Sequence, residues 1–554
     1  MPQGRLLGGS GALNGMNFVP PAQEELNAWA GLGNPGWDWE GVSKYLNKSY
    51  TLTSGAKTEN DGVLQVNVPE EDTKCKRQTN HDNGSRNLAD MLIGPQLWRD
   101  TFAGLGFPAK NTPSSGHIYG VVSYADAIHP ATKTRSYSAN AYFAPARSRA
   151  NLTLWTGVSV DKVLFEKTPD GAVAIGIQYT KDGKVQTVSS GKEVILSAGT
   201  FHSPKILELS GIGDAERLQK LGIDVVVANP YVGENLQNHP MCTLTFELSG
   251  DDDKEEGFET IDALARQDPA ALGAAMEAYT AKQRGPFSQT NSNVTAHIPF
   301  PGITTDDGKR DLAQILERHI SGATTADVPG SKATPEYTQA HHSLIRSVLT
   351  SPTTASGYYI SFAGWAAYGP TGAMVPIPTD SVSPSQKYFT IGVVLTHPLS
   401  RGSSHVTTTR TTDPPAIDPN YLAHPLDTEI LARHVRFLES TLAAAPPLAS
   451  RLKKSTVDVA APAGWPRGFS TDLDQARRFV REVAVGASHY AGTCSMMPRG
   501  KGGVVDDRLR VYGTKGLRVV DASVMPFVTR ANPMAAVYAV AEKAADVIRE
   551  DYGW

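Results

Sequence analysis

An α/β fold is what the sequence predicts, and three stretches carry the prediction. The run Glu193-Val-Ile-Leu-Ser-Ala198-Gly199 has the short apolar core of a buried strand, and Ser203-Pro204 behind it caps a helix that stops at Ser210-Gly211. Leu517–Asp521 reads as a second strand, followed by a tight turn, a short loop and a helix over Ala535–Arg549. Strand, glycine and helix in this order build nucleotide-binding layers, with the ligand at the carboxyl ends of the strands. Antiparallel strands are expected at Val160–Phe165, Ala172–Thr180 and Val185–Val188, with Asp182-Gly183 as a hairpin turn.

The chain has 554 residues, enough for two domains, and its 40% hydrophobic and 19% charged content is that of a globular enzyme. A net charge of −4 gives no electrostatic reason to expect nucleic acid or an anionic membrane as partner. No apolar run approaches the ~18 residues of a membrane helix, and no signal peptide precedes Gly4. Cys75, Cys242 and Cys494 are too few and too scattered for a disulfide framework or a zinc site, so no metal is expected; Cys494 reads as a small buried residue. The sequons at Asn47, Asn83, Asn151 and Asn293 bear little on secretion, and the sequence assigns neither compartment nor oligomeric state.

Taken in order, Gly4–Phe18 is glycine-rich, and Gly8 and Gly9 allow a backbone to approach a ligand closely. Glu24–Trp29 and Trp37–Leu46 read as short helices. Gly31-Leu-Gly33-Asn-Pro-Gly36 between them matches the dinucleotide fingerprint by letter, but no strand precedes it, so it reads as a helix–helix loop. Residues 50–150 look polar and loop-rich, with a helix at Ser136–Phe143. The acidic run Asp251–Glu256 reads as a solvated loop. Residues 300–345, rich in Thr, Gly, Pro and charge, suit a long surface connection or a lid, and Tyr388–Leu395 is a strand. His239, His397 and His405 are expected to be structural.

Near the end, Pro533 fits the first helical position and Asn532 the N-cap; Glu542 and Lys543 fall on one side of the helix, Val537, Val540 and Ala544 on another. A helix start aimed into a loop suits an anion. His489, in the Gly-flanked loop Gly486–Met496, supplies a proton acceptor nearby.

Four stretches together resemble the glucose–methanol–choline (GMC) family of FAD-dependent oxidoreductases, in particular its fungal aryl-alcohol oxidase and dehydrogenase members. They are Gly4–Phe18, Gly199–Gly213, the His489 loop, and Leu517–Pro526 with Asn532-Pro533-Met534. The resemblance implies an α/β FAD-binding domain, incomplete at its N-terminus, and an α+β substrate domain on an antiparallel sheet. It implies that the family's dinucleotide-binding segment, which lies upstream of the first signature, is lacking. The implied segments are 1–48, 151–240 and 501–554 for FAD, 49–150 for cap and pocket, and 241–500 for substrate. His397–Val406 resembles part of the family's substrate-domain sheet.

By the same resemblance FAD contacts fall to Leu7, Gly8, Gly9, Ser10, Asn14, Gly15, Met16, Asn17, Val158, Ala198, Gly199, Asp521, Ala522, Pro533 and Met534. His489 is the implied base and Asn532 its partner. Many relatives carry a second histidine where this chain has Asn532, which cannot take a proton. The implied reaction oxidises a primary or secondary alcohol by proton abstraction and hydride transfer to flavin N5, in secondary metabolism, with O2 or a quinone-like acceptor. Two alternatives stay open: a non-redox lyase or cyclase on the same fold, and an inactive remnant that does not hold FAD.

Overall fold

The computed structural model describes residues 3–54, 57–68, 93–109, 113–169, 171–249, 260–290, 292, 294–320, 331–369, 371–377, 385–453 and 472–554. Cys75, Asn83, Asn293 and the acidic run at 251–256 lie outside the described residues.

One core gathers the nucleotide-type elements. The helices Gln23–Gly31 and Trp39–Ser49 bury Leu26, Trp29, Val42 and Leu46 against the long helix Met534–Tyr552, which contributes Ala535, Ala536, Ala539, Val540 and Ala544. The turn joining the first two helices is the fingerprint look-alike, and Asn34 in it donates to the carbonyls of Trp29 and Met496. Lys543 is buried, while the neighbouring Glu542 is half-buried and takes Lys48 and the Tyr142 hydroxyl. The Lys543 ammonium sits 4.8 Å from the Trp37 ring centre and donates to the Gly36 carbonyl, so an aromatic face and a main-chain acceptor receive the cation.

The strands Val194–Leu196 and Leu517–Val519 pair in parallel, so both carboxyl ends point the same way, toward Gly199 and Asp521. The first was expected to be buried. Instead Ile195 is 43% exposed and only Leu196 is buried, because a parallel strand is enclosed only when layers cover both its faces. The helix after it also starts earlier than Ser203-Pro204 implied. It runs Gly199–Leu209 with Pro204 inside, because Asp521, from the other strand, accepts from the Gly199 N–H and ties down that start. The three-stranded antiparallel unit Val158–Thr168, Gly171–Lys181 and Lys184–Ser189 follows the expected pattern. Asp182 (φ 50°) and Gly183 (φ 72°) supply the left-handed turn.

A second core backs a six-stranded antiparallel sheet, in the order Val485–Gly486, Pro240–Glu247, Tyr388–Leu395, Gly357–Phe362, Val294–Ile298, Gly120–Ser123. One face (Cys242, Leu244, Val294, Ala296, Tyr359, Ile391, Val393) packs on helices. Strand alternation turns Met241, Tyr358, Ile360 and Val394 to the opposite face, where Ala531 meets them.

Three regional expectations are corrected. Residues 300–345 are largely helical, Asp306–Ile320 and Pro335–Thr350, because Leu312, Ile315, Leu316 and Ile320 recur at helical spacing and find a core. The described part of 50–150 holds the strands Tyr50–Ser54, Lys57–Glu59 and Leu64–Val68 and the helix Ile93–Gly104, since Leu64 and Val66 bury alternately. His397–Val406 stands outside the six-stranded sheet; only Ser403–His405 is a strand there, paired with Ala416–Asp418.

The histidines of this stretch are fully engaged. His397 Nε2 lies 3.0 Å from Glu25, and His405 bridges Glu208 (2.8 Å) and Glu234 (3.1 Å). Burial opposes a charge on His405, but the two carboxylates outweigh it and its pKa is raised. Its stabilising effect is therefore fully present below the unfolded value of about 6.5 and disappears as pH rises through the folded pKa. Denaturant titrations of wild type and His405→Gln should differ most at acidic pH, and the difference should shrink toward alkaline pH.

Candidate active site

The His489 loop is held by main chain on both sides. Ala487 N–H donates to the His239 carbonyl (2.9 Å), and the His489 N–H donates to Asn238 Oδ1 (2.7 Å). Farther on, the N–H groups of Gly492, Cys494 and Met496 donate to the carbonyls of Ala522, Ser523 and Val524. Gly492 (φ 97°) must be glycine: a Cβ there would meet the Asn235 carbonyl oxygen at 2.4 Å. Cys494 is fully buried, and burial drives its thiol pKa up.

Within this frame His489 Nε2 lies 2.9 Å from Asn532 Nδ2, and His489 Nδ1 lies 2.8 Å from His239 Nδ1. Asn532 Oδ1 accepts from the Tyr358 hydroxyl (3.3 Å). Asn532 is therefore not the helix cap. Pro533 occupies that position, Met534 is the first helical residue, and no side chain caps the helix. The amide of Asn532 faces His489 because the loop ahead of it is pinned: Glu25 accepts from the Arg530 N–H (2.7 Å). Burial lowers the His489 pKa to about 4, and burial with the charges of His489 and His397 lowers that of His239 well below its ordinary value.

The glycine-rich segment approaches the same helix start. Asn14 contacts Met534 Sδ through Nδ2 (3.1 Å), while its Oδ1 accepts from the Met16 N–H (3.0 Å) and from Arg135 (2.9 Å). Gly8 and Gly9 are left-handed, and a Cβ on Gly9 or Gly15 would enter open space. Ser10 Oγ accepts from the Gly4 N–H (3.0 Å), Leu7 is exposed, and Met16 adopts a left-handed φ of 63°. Asn17 Oδ1 is buried without a partner. Val158 opens its strand half-buried. Asp521 is engaged within the protein: Gly199 N–H (2.9 Å), Ser203 Oγ (2.5 Å) and Ser523 N–H (2.8 Å) all donate to it, which fixes Ala198, Gly199 and Ala522 around it.

These features fit a flavin nucleotide. The parallel strands end at two helix starts, the uncapped first turn of Met534–Tyr552 offers free N–H groups to electron-rich atoms, and the backbone at Gly9 and Gly15 is open to a ligand near the unpaired amide oxygen of Asn17. His239, Asn238 and Tyr358 are the polar residues at the site that sequence reading did not assign to it. The Asn-His-Pro sequence was visible; nothing in the Tyr358 strand distinguished it from its neighbours.

A nucleotide-cofactor oxidoreductase with a buried histidine at its candidate site is the class that this fold and site define. Residues 1–241 match the N-terminal GMC oxidoreductase model and 398–541 the C-terminal one. The chain is similar to the dehydrogenase citC of Monascus ruber, with 34% identity over 100% of this chain and 85% of that protein. It is similar in structure to an FAD-dependent oxidoreductase from Chaetomium thermophilum (TM-score 0.80, 26% identity, 99% and 87% of the two chains). It also matches a fungal aryl-alcohol oxidase (TM-score 0.76, 25% identity, 100% and 87%). The chain belongs to the GMC oxidoreductase family: it is an FAD-dependent, alcohol-oxidising enzyme.

Asp521→Ala should leave two N–H groups and a hydroxyl without their acceptor. A loss of about 3 kcal/mol in unfolding free energy is expected, measured by denaturant titration.

Proposed function

We propose that the enzyme oxidises an aromatic primary or secondary alcohol, with His489 as the base and Asn532 as the group that orients the hydroxyl. The single observation behind this reading is the pairing of buried His489 with half-buried Asn532 at the start of the uncapped helix. FAD supplies the hydride acceptor when bound. The chain's residues do the rest. His489 Nε2 takes the hydroxyl proton as the alcohol becomes a carbonyl, and Asn532 Nδ2 donates to the alcohol oxygen and so aims the carbinol C–H. A histidine kept neutral by burial is ready to accept at ordinary pH. Phe362 and Tyr368, partly buried against the cluster that holds Tyr358, would offer aromatic faces to an aromatic substrate.

In this reading Gly8, Gly9, Gly15, Asn17, Ala198, Gly199 and the 533–534 helix start hold the cofactor. The FAD portions are 1–48, 151–240 and 501–554, the cap 49–150 and the substrate portion 241–500. Electrons leave to O2 or a quinone-like acceptor, and the resemblance to fungal members of the family favours a role in secondary metabolism.

Aryl alcohols should bleach the flavin absorbance anaerobically, with O2 or benzoquinone restoring it; a flavin that no alcohol bleaches would count against the reading. His489→Gln should keep the flavin spectrum and lose roughly 10²–10⁴-fold in kcat. Because neutral imidazole is the active form, kcat/KM should hold as pH falls from 7 and decline only near the His489 pKa of about 4.

A further inference from the structure

We propose that His239 is a positioning residue that sets the tautomer of His489, so that the lone pair of His489 is at Nε2, facing the substrate. The inference rests on the reading of His489 as the base. Its observation is separate: two imidazole Nδ1 atoms 2.8 Å apart, on rings crossing at 78°.

A contact of that length between two ring nitrogens holds one proton. Two N–H groups would collide, and two lone pairs would repel. Which ring carries the proton follows from the far end of His489, because the remaining nitrogen of the wholly buried His239, Nε2, has no hydrogen-bond partner.

The Tyr358 hydroxyl donates to Asn532 Oδ1, which turns the Nδ2 of Asn532 toward His489, and an N–H donor there requires an unprotonated Nε2. The proton of neutral His489 is then on Nδ1 and is donated to Nδ1 of His239, whose own proton sits on Nε2.

During turnover the substrate O–H bond breaks and an N–H bond forms at His489 Nε2, while the hydride leaves to the FAD of the established activity. His489 becomes an imidazolium that still donates from Nδ1 to His239. His239 exchanges no proton; it holds the ring and accepts from its charged form. Asn238 and the His239 carbonyl hold the backbone of the same loop, so one tripeptide, Asn238-His239-Pro240, positions both the base's main chain and its ring.

The test uses protein labelled with ¹⁵N-histidine, with His489→Gln to assign the ring signals. Wild type should show His489 with a protonated-type Nδ1 and an unprotonated-type Nε2. The reverse pattern would overturn the proposal. His239→Phe removes the acceptor at similar size and should scramble that tautomer and lower kcat on the order of 10²-fold with little change in KM. His239→Asn places Oδ1 where Nδ1 was and should recover both the His489 signals and most of kcat. If His239→Phe folds with His489 signals and kcat unchanged, the proposal fails. If it does not fold, the wild-type signals and His239→Asn decide. Correct ring signals in a protein that oxidises no alcohol would support the tautomer assignment and reject His489 as an alcohol base.

Discussion

A single buried carboxylate, Glu25, organises the approach to the site. Only 1% exposed, it accepts from the Ala22 N–H at the start of the first helix, from the Arg530 N–H two residues before Asn532, and lies against His397 after the central strand. Three segments distant in sequence thereby share one acceptor. Without solvent to compete, such charge-assisted bonds are strong and geometrically demanding. The position of Asn532, and through it the orientation of His489, depends on this junction more than on any local preference of the 526–533 loop.

The same economy recurs at Asp521. Its carboxylate joins the end of one parallel strand to the start of the helix that follows the other. A cofactor site at the carboxyl ends of two strands needs its helix starts in register, and a carboxylate shared between them supplies that register. The six-stranded sheet completes the enclosure from the other side. Its helix-backed face gives it rigidity, and its opposite face presents Tyr358 to Asn532. The loops that carry His489 and Asn532 are anchored in the same two clusters, through Val485 and Ala491 on one side and Ala531 and Val528 on the other, which leaves the pair little freedom to drift apart.

Much of the fold was legible because it is encoded at short range. The 388–395 strand, the 182–183 turn and the helix–helix loop at Gly31–Gly36 each rest on periodicity or turn chemistry within a few residues. The errors share a cause. Asn532 looked like a helix cap and Ser203-Pro204 like a helix start. In each case a distant partner, respectively His489 and Asp521, overrode the local preference.

By itself the sequence determined the family, the strand–glycine–helix units and the two residues, His489 and Asn532, on which the chemistry was placed, because motifs and spacing survive without coordinates. Only the tertiary structure decided that these two side chains meet at 2.9 Å, that His239 backs one and Tyr358 the other, and that 306–320 and 335–350 are packed helices. The physical reason is sequence separation. Asn532 and His489 lie 43 residues apart, and His239 lies 250 from His489. Contacts across such distances are set by how whole layers pack, which no local pattern records.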